Sequence, residues 1–149
     1  MAVLTLFDSR WIGTHGIGRF AAELLSRAPD FRPIALRGRP SAALDPWRLG
    51  AYLRREKPDF FLSPGYNAPA GTCGRFGFTV HDLIHLATPD NANVFKRLYY
   101  REVIRPAVRR ASIVFTVSEF SRREICEWAG VNGACQGSCR LSHAADRVL

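Results

Sequence analysis

The segment with the clearest chemical potential is 76–85, an apolar run that ends in the polar pair His81-Asp82. A run of this length bounded by glycine predicts a buried strand. Ligands of open parallel sheets bind outside the carboxyl ends of the strands, so His81 and Asp82 stand where this class of protein does its chemistry. The alternative is a packed histidine that closes the strand end, because histidine favours functional sites without being confined to them.

A second candidate lies near the amino terminus, where a predicted strand is followed by Gly13, Gly16 and Gly18. Gly16, Ile17 and Gly18 stand where strand gives way to helix, and backbone N–H groups at such a point can approach an anion closely. The glycine spacing differs from the dinucleotide-binding fingerprint, and the segment lacks the Lys-Ser/Thr of a P-loop. A tight turn without a ligand is therefore the alternative interpretation.

Strands and helices alternate along the chain. The predicted strands are Val3–Phe7, Pro33–Arg37, Phe60–Leu62, Phe76–Val80 and Ile113–Val117. Four helices are predicted. The first ends near Arg27, the second runs from about Asp45 to Lys57, the third from about Ala92 to Ala111, and the fourth from a Ser118 cap to about Trp128. This alternation predicts an α/β fold, a Rossmann-like doubly wound parallel sheet of at least five strands with helices on both faces.

The ends of the predicted elements carry the candidate polar groups. Asp45 is a predicted N-cap with Pro46 at the first helical position, and Ser118 is a predicted N-cap rather than a catalytic residue. Right-handed crossovers would bring the carboxyl ends of the strands, and with them Gly16, Asn67, His81 and Ser118, to one rim of the sheet.

Three motifs occur in a fixed order: Asp8-Ser-Arg followed by Gly16-Ile-Gly-Arg-Phe, then Val80-His-Asp-Leu, then Phe115-Thr-Val-Ser-Glu-Phe-Ser-Arg. Together they resemble the amino-terminal, acceptor-side domain of family-four retaining glycosyltransferases. The nearest resemblance is to the mannosyltransferase-like branch that builds bacterial surface polysaccharides, and it covers roughly 3–131. It implies one half of the GT-B architecture, in which two Rossmann-like domains face each other across a cleft and the second domain holds the nucleotide-sugar.

The resemblance also implies roles for individual residues. His81 would hydrogen-bond the transferring sugar or the transition state, and Asp82 would orient His81 or the following turn. The turn 16–18 would face the donor diphosphate. Tyr66 and Asn67 are candidates for the acceptor pocket. A nearby Arg10 would either meet phosphate or be an ordinary surface arginine.

The 149 residues have room for one domain, placed at 1–131, and not for the second domain of the GT-B fold. The tail, 132–149, has no strand pattern where the family continues with a sixth strand, so we expect it to be irregular. A premature stop or frameshift in a longer gene accounts for both features, and a naturally shortened chain or a subunit of a split enzyme is the alternative. We expect this chain alone to transfer no sugar. A non-catalytic glycan- or lipid-binding module is the second functional class.

The chain carries a net charge of +8 from 21 basic and 13 acidic residues. Part of this charge is patterned, because Arg97, Arg101, Arg105 and Arg109 recur at a spacing of four on a predicted helix and share one face. Pro106 is expected to interrupt that helix. One interpretation is a solvated face, and the other is attraction to an anionic membrane surface, which suits a lipid-linked acceptor. No nucleic-acid motif is present, so we expect no nucleic-acid partner.

Two histidine-containing clusters raise the question of metal, namely Cys135-x3-Cys139-x3-His143 and His81-Asp82-x-x-His85. Structural zinc sites usually have four protein ligands, so we expect no metal, and we expect no other cofactor. The cysteines do not resemble a secreted disulfide framework. With no signal-peptide pattern and no apolar run of about 20 residues, we expect a cytoplasmic protein, peripheral to the inner face of the membrane.

Overall fold

The computed structural model describes residues 3–71, 73–81, 83, 94–131 and 140–143. The chain forms two compact units, Met1–Phe78 and Thr79–Leu149. Both units are built from parallel strands and helices, and each is described by itself below.

The first unit contains strands β1 (Thr5–Phe7), β2 (Arg32–Pro33), β3 (Phe60–Ser63) and β4 (Phe76–Thr79), the last residue of β4 beginning the second unit. Their order is β2-β1-β3-β4, and all three pairings are parallel. A 3₁₀ turn, Ser9–Trp11, follows β1, and the unit's helices are α1 (Gly16–Arg27) and α2 (Asp45–Glu56). The carboxyl ends of β1 and β3 are therefore adjacent, since Phe7 lies opposite Leu62.

The core of the first unit is aromatic and aliphatic. Phe7, Phe61 and Phe78 come from its strands and Leu49 and Leu53 from α2, and all five side chains are fully buried. Each such side chain contributes roughly 1.5–3 kcal/mol when it leaves water. Strand β3 is buried from its second residue onward, as expected of a parallel strand covered on both faces.

The second unit contains strands β5 (Ile113–Thr116) and β6 (Arg140–His143), which pair in parallel along their full length. Its helical elements are α3 (Val94–Tyr99), a π-helical turn (Tyr100–Ile104), α4 (Arg105–Arg110) and α5 (Glu119–Ala129). Val80, just after β4, donates its N–H to the carbonyl of Phe115 in β5 at 2.9 Å. Within the described ranges, no helix has both the length and the apolarity needed to cross a membrane.

The predicted fold class is confirmed: the chain is a Rossmann-like α/β protein with parallel strands and flanking helices. The second strand is much shorter than predicted, since only Arg32 and Pro33 pair with β1. The apolar residues at 34–36 that suggested a longer strand leave the ladder after Ile34, whose N–H still donates to the Phe7 carbonyl.

The tail prediction needs correction at one place. Residues 132–149 were expected to be irregular, yet Arg140–His143 form β6 beside β5. A strand at the side of a parallel neighbour is specified by backbone hydrogen bonds, so a segment with weak strand composition can still extend there.

The predicted helix of 92–111 is interrupted where proline was expected to act. Pro106 has no N–H to donate to the carbonyl of Glu102. Immediately before it, the backbone widens into the π-helical turn, in which the Arg105 N–H donates to the Tyr100 carbonyl five residues back. The spacing of four that placed four arginines on one face therefore does not hold along the whole helical segment.

A buried hydroxyl at the end of β5 gives a first prediction. Thr116 is fully buried, and its Oγ1 has no hydrogen-bond partner among the described residues. Because an unpaired buried hydroxyl retains its desolvation penalty, Thr116→Val should stabilise the protein by about 1–2 kcal/mol in urea unfolding. Ser121→Ala is the matched control, since the Ser121 hydroxyl is paired with that of Ser118 at 2.9 Å and its loss should destabilise. A destabilising Thr116→Val would contradict this account.

Candidate functional site

A buried ion network stands at the carboxyl end of β1 in the first unit. Asp8 follows the strand, Arg10 lies in the 3₁₀ turn, and Asp45 is the first residue of α2. The Arg10 guanidinium contacts Asp8 at 2.7 Å and Asp45 at 2.6 Å. The Arg10 side chain is only 8% exposed and both carboxylates are fully buried. One cation therefore joins the end of a strand to the start of a helix 35 positions away.

Asn67 ties the loop after β3 to the same network. Its Nδ2 donates to Asp8 at 2.8 Å, and its Oδ1 accepts from Trp11 Nε1 and from the hydroxyl of Ser63. A buried polar network stabilises only when its members are satisfied, and this one uses both ends of the Asn67 amide. The segments that follow β1 and β3 are thereby held in one arrangement.

The charges of the network raise the pKa of Arg10. Burial by itself lowers the pKa of this guanidinium, but the hydrogen bonds and charges of Asp8 and Asp45 outweigh that effect and raise the pKa above its ordinary value. Arg10 is thus a fixed cation, and it acts here through position and charge and not through proton transfer.

The turn that precedes α1 is shaped by close packing between two glycines. A Cβ on Gly18 would lie 2.5 Å from the Gly13 backbone, whereas a Cβ on Gly16 would meet nothing within 4 Å. The helix is capped by His15, whose Nδ1 accepts from the Gly18 N–H at 3.1 Å. The exposed start of α1 therefore offers the N–H groups of Gly16 and Ile17 to an anion, in line with the helix dipole.

This geometry corrects one predicted role. Gly18 was grouped with Gly16 and Ile17 as facing a donor diphosphate, but its N–H is used by His15 and the residue is buried. Gly18 is required because it packs on Gly13, which is a structural function.

The two glycines give a paired prediction. Gly18→Ala should destabilise the protein by roughly 1–3 kcal/mol, because the added methyl overlaps the Gly13 backbone. Gly16→Ala should be neutral or stabilising by up to about 1 kcal/mol, since alanine fits there and restricts the unfolded chain. Urea unfolding of both variants measures the difference. Equal destabilisation by the two substitutions would contradict the described packing of the turn.

Tyr66 lies beside this network and keeps part of its surface accessible. Its ring meets Trp11 edge to face, with ring centroids 5.1 Å apart, and burial raises the pKa of its phenol above the ordinary value. Next to it, a Cβ on Gly65 would lie 2.3 Å from the Trp11 indole, so only glycine allows this approach. Tyr66 can still contact a ligand, because it is partly exposed and its ring offers a sugar both an apolar face and a polar hydroxyl.

Two further predicted roles change in the structure. Asn67 was a candidate for the acceptor pocket, but its side chain is fully buried and bonded within the network. Arg10 was expected either to meet phosphate or to lie on the surface, and it does neither, because two buried carboxylates hold it. Both residues support neighbouring segments in place of contacting a ligand.

The second unit holds the other predicted residues. His81 is partly exposed and comes directly after Val80, which is bonded to β5. Ser118 is the N-cap of α5, where its hydroxyl accepts from the Ser121 N–H at 3.0 Å, as predicted. Asp82 lies outside the described residues. That Gly16 and His81 share one rim stays a prediction.

The sequence interpretation did not find the network of Asp8, Arg10 and Asp45. A signal was present, because Asp8 directly follows an apolar strand and Asp45 begins a helix that buries Leu49 and Leu53 on one face. Asp45 was assigned as an N-cap, but the cap is Leu44 and the Asp45 carboxylate turns to Arg10. Elsewhere, the described residues contain no group of three or more His, Cys, Asp or Glu side chains that could hold a metal ion.

The parallel strands and their flanking helices define a Rossmann-like α/β protein, a class that binds its ligands outside the carboxyl ends of the strands. The profile of Glycosyltransferase Family 4 matches residues 7–135, and the chain belongs to this family. No curated protein and no solved structure gives a significant match. Family membership indicates glycosyl transfer with a nucleotide-sugar donor and an acceptor.

Proposed function

We propose that this chain is the acceptor side of a retaining glycosyltransferase of the mannosyltransferase-like branch. Together with a donor domain, it transfers a hexose such as mannose from a nucleotide-sugar to a glycan or lipid-linked acceptor, in surface polysaccharide synthesis at the inner face of the membrane. The observation that carries this proposal is the family match over residues 7–135, which spans the open helix start and the His81 strand end.

The start of α1 is suited to a departing diphosphate. Transfer with retention passes through a cation-like sugar while negative charge develops on the leaving group. Fixed backbone dipoles stabilise such charge because they need no reorganisation during the reaction. The N–H groups of Gly16 and Ile17 provide these dipoles at an exposed helix terminus. The ion network around Arg10 fixes the 3₁₀ turn Ser9–Trp11, which precedes α1 in the chain.

The sugar and the acceptor are assigned to the remaining side chains. His81, partly exposed at the end of its strand segment, would donate a hydrogen bond to the transferring sugar or to the transition state. Tyr66, which is partly exposed, would contact the acceptor. The nucleotide would be held mainly by a second domain or by a separate donor subunit. The same arrangement without catalysis would be a glycan-binding module.

A reconstitution assay tests the proposal. The purified chain is offered a panel of radiolabelled UDP- and GDP-hexoses with lipid-extract acceptors, alone and with a family-four donor domain supplied in trans. We expect transfer only with the donor domain, with GDP-mannose as the best donor. Turnover by the lone chain would refute the acceptor-side assignment. Saturation-transfer NMR showing acceptor binding without transfer under any condition would favour the binding module.

The matched variants in that assay are Gly16→Asp and Ala22→Asp. Both add one carboxylate to an exposed position of α1, but only Gly16→Asp places it at the helix start proposed to face the diphosphate. We expect Gly16→Asp to abolish most of the transfer and Ala22→Asp to leave it largely intact. Equal effects would show that the helix start is not the diphosphate site.

A further inference from the structure

The second unit carries a groove along α3 and α4 with a volume of about 630 Å³. Its lining consists of Val94, Arg97, Leu98, Arg101, Arg105 and Trp128. We refer to these six residues as the arginine groove. It lies in a part of the chain that has no place in the reaction proposed above.

The charge of the arginine groove is of one sign, because three of its six lining residues are arginines and none is acidic. Arg101 pairs with its neighbour Glu102 at 2.6 Å, but both side chains are more than half exposed, so this pair is weak and easily exchanged. Within the described part of the chain, Arg97 and Arg105 have no carboxylate partner.

One arginine of the groove has a buried nitrogen without a hydrogen-bond partner. Arg105 Nε is buried, and it has no hydrogen-bond acceptor among the described residues. A buried donor without a partner is costly, and more so on a charged group. A phosphate oxygen is the acceptor that suits a guanidinium best, since the two groups match in charge and in planar donor geometry.

Exposed apolar side chains adjoin the same groove. Val94 is 75% exposed, Phe95 76% and Leu98 46%, and all three belong to α3. Trp128 adds an indole, the side chain that favours membrane interfaces. Cationic and apolar side chains together on one helical surface are the pattern of an interfacial membrane contact.

Arg109 does not belong to this surface, although its spacing predicted that it would. Its Nε donates to the carbonyl of Ala129 at 2.7 Å and thereby caps the carboxyl end of α5. The π-helical turn between α3 and α4 explains the difference, because it changes the helical register between Arg101 and Arg109.

We propose that the arginine groove binds the phosphate of an anionic phospholipid headgroup while Val94, Phe95 and Leu98 enter the apolar part of the bilayer. The guanidinium groups of Arg97 and Arg105 hold the phosphate oxygens, and Arg101 exchanges Glu102 for the same group. The inference deepens the membrane location in the proposed function by naming the residues and the lipid class, and it requires no sugar transfer to be tested.

The test is co-sedimentation of the full chain with vesicles of phosphatidylglycerol in phosphatidylcholine, and with vesicles of phosphatidylcholine alone. No nucleotide-sugar is present, so the result is independent of the proposed reaction. We expect binding to the anionic vesicles only. The double variant Arg97→Gln/Arg105→Gln should weaken that binding about 30-fold, the effect of two basic residues at an anionic surface.

The matched control is Arg39→Gln/Arg54→Gln, which removes the same charge from two exposed arginines of the first unit. It should change binding by less than roughly three-fold, because neither arginine lines the groove. Phe95→Ser should weaken binding to the anionic vesicles at both low and high salt, because it removes an apolar contact with the bilayer that salt does not screen. Circular dichroism checks that each variant is folded. If Arg105→Gln prevents folding, the single variant Arg97→Gln replaces the double variant in the vesicle assay.

Three results would overturn the proposal. The first is equal binding to the two kinds of vesicle. The second is an equal loss of vesicle binding in the groove variant and the control variant. The third is thermal stabilisation by inorganic phosphate or glycerol phosphate without any vesicle binding. The third result would assign the groove to a soluble phosphate compound.

Discussion

Arg10→Met is expected to destabilise the protein by about 3–5 kcal/mol or to prevent its folding. The substitution keeps an unbranched apolar stem, but it leaves the Asp8 and Asp45 carboxylates buried without their cation. Total stabilities of roughly 5–15 kcal/mol are typical of single domains, so this loss is a large fraction. Urea unfolding followed by circular dichroism measures it, with expression level as a second readout if the variant does not fold.

The control for this prediction is Arg27→Met on the surface of α1. Arg27 is ion-paired with Glu23 at 2.7 Å, but the two side chains are 58% and 62% exposed. Exposed pairs contribute roughly 0–1 kcal/mol, so the same substitution there should have a small effect. Arg10→Lys separates charge from geometry, since lysine keeps the charge but cannot contact both carboxylates with a planar guanidinium. Similar stabilities for Arg10→Met and Arg27→Met would contradict the buried network.

His81→Ala is expected to lower sugar transfer by about 10²–10³-fold in the reconstituted enzyme. The expectation follows from the proposed hydrogen bond to the transition state, and a loss of this size is typical when one preorganised donor is removed. Because His81 is partly exposed, the variant should remain folded, which circular dichroism checks before the transfer rates are compared. The effect should appear in kcat more than in KM if the hydrogen bond forms mainly in the transition state.

His81→Gln distinguishes hydrogen bonding from proton transfer. Glutamine retains an N–H donor but cannot take a proton at neutral pH, so it should recover part of the activity if hydrogen bonding is the role. A pH–rate profile without the titration of a histidine would agree with that role. Full activity of His81→Ala would remove His81 from the catalytic machinery, and an inactive His81→Gln equal to His81→Ala would favour a proton-transfer role.

The order of strands and helices was predictable because it depends on local patterns. Apolar runs at 60–62, 76–80 and 113–117 were bounded by turn residues, and each became a strand within one residue of its predicted end. The Ser118 cap was also predictable, because a serine hydroxyl satisfies an N–H only three residues away. The short β2 and the strand β6 were not, because pairing with a neighbouring strand decided their extents.

By itself, the sequence determined the α/β class and the position of the glycine turn, since both depend on residues close together in the chain. It also determined the family, since each of the three motifs is a short segment and their order can be read along the chain. The tertiary structure decided which charged residues are buried. Asp45 fits an N-cap in its local context, but Arg10, 35 positions away, turns its carboxylate inward. Asn67 fits a polar loop residue in its own segment, but its amide joins Asp8 and Trp11 in the interior. A buried charge is stable only beside its partner, and that partner is supplied by packing between distant segments and not by local spacing.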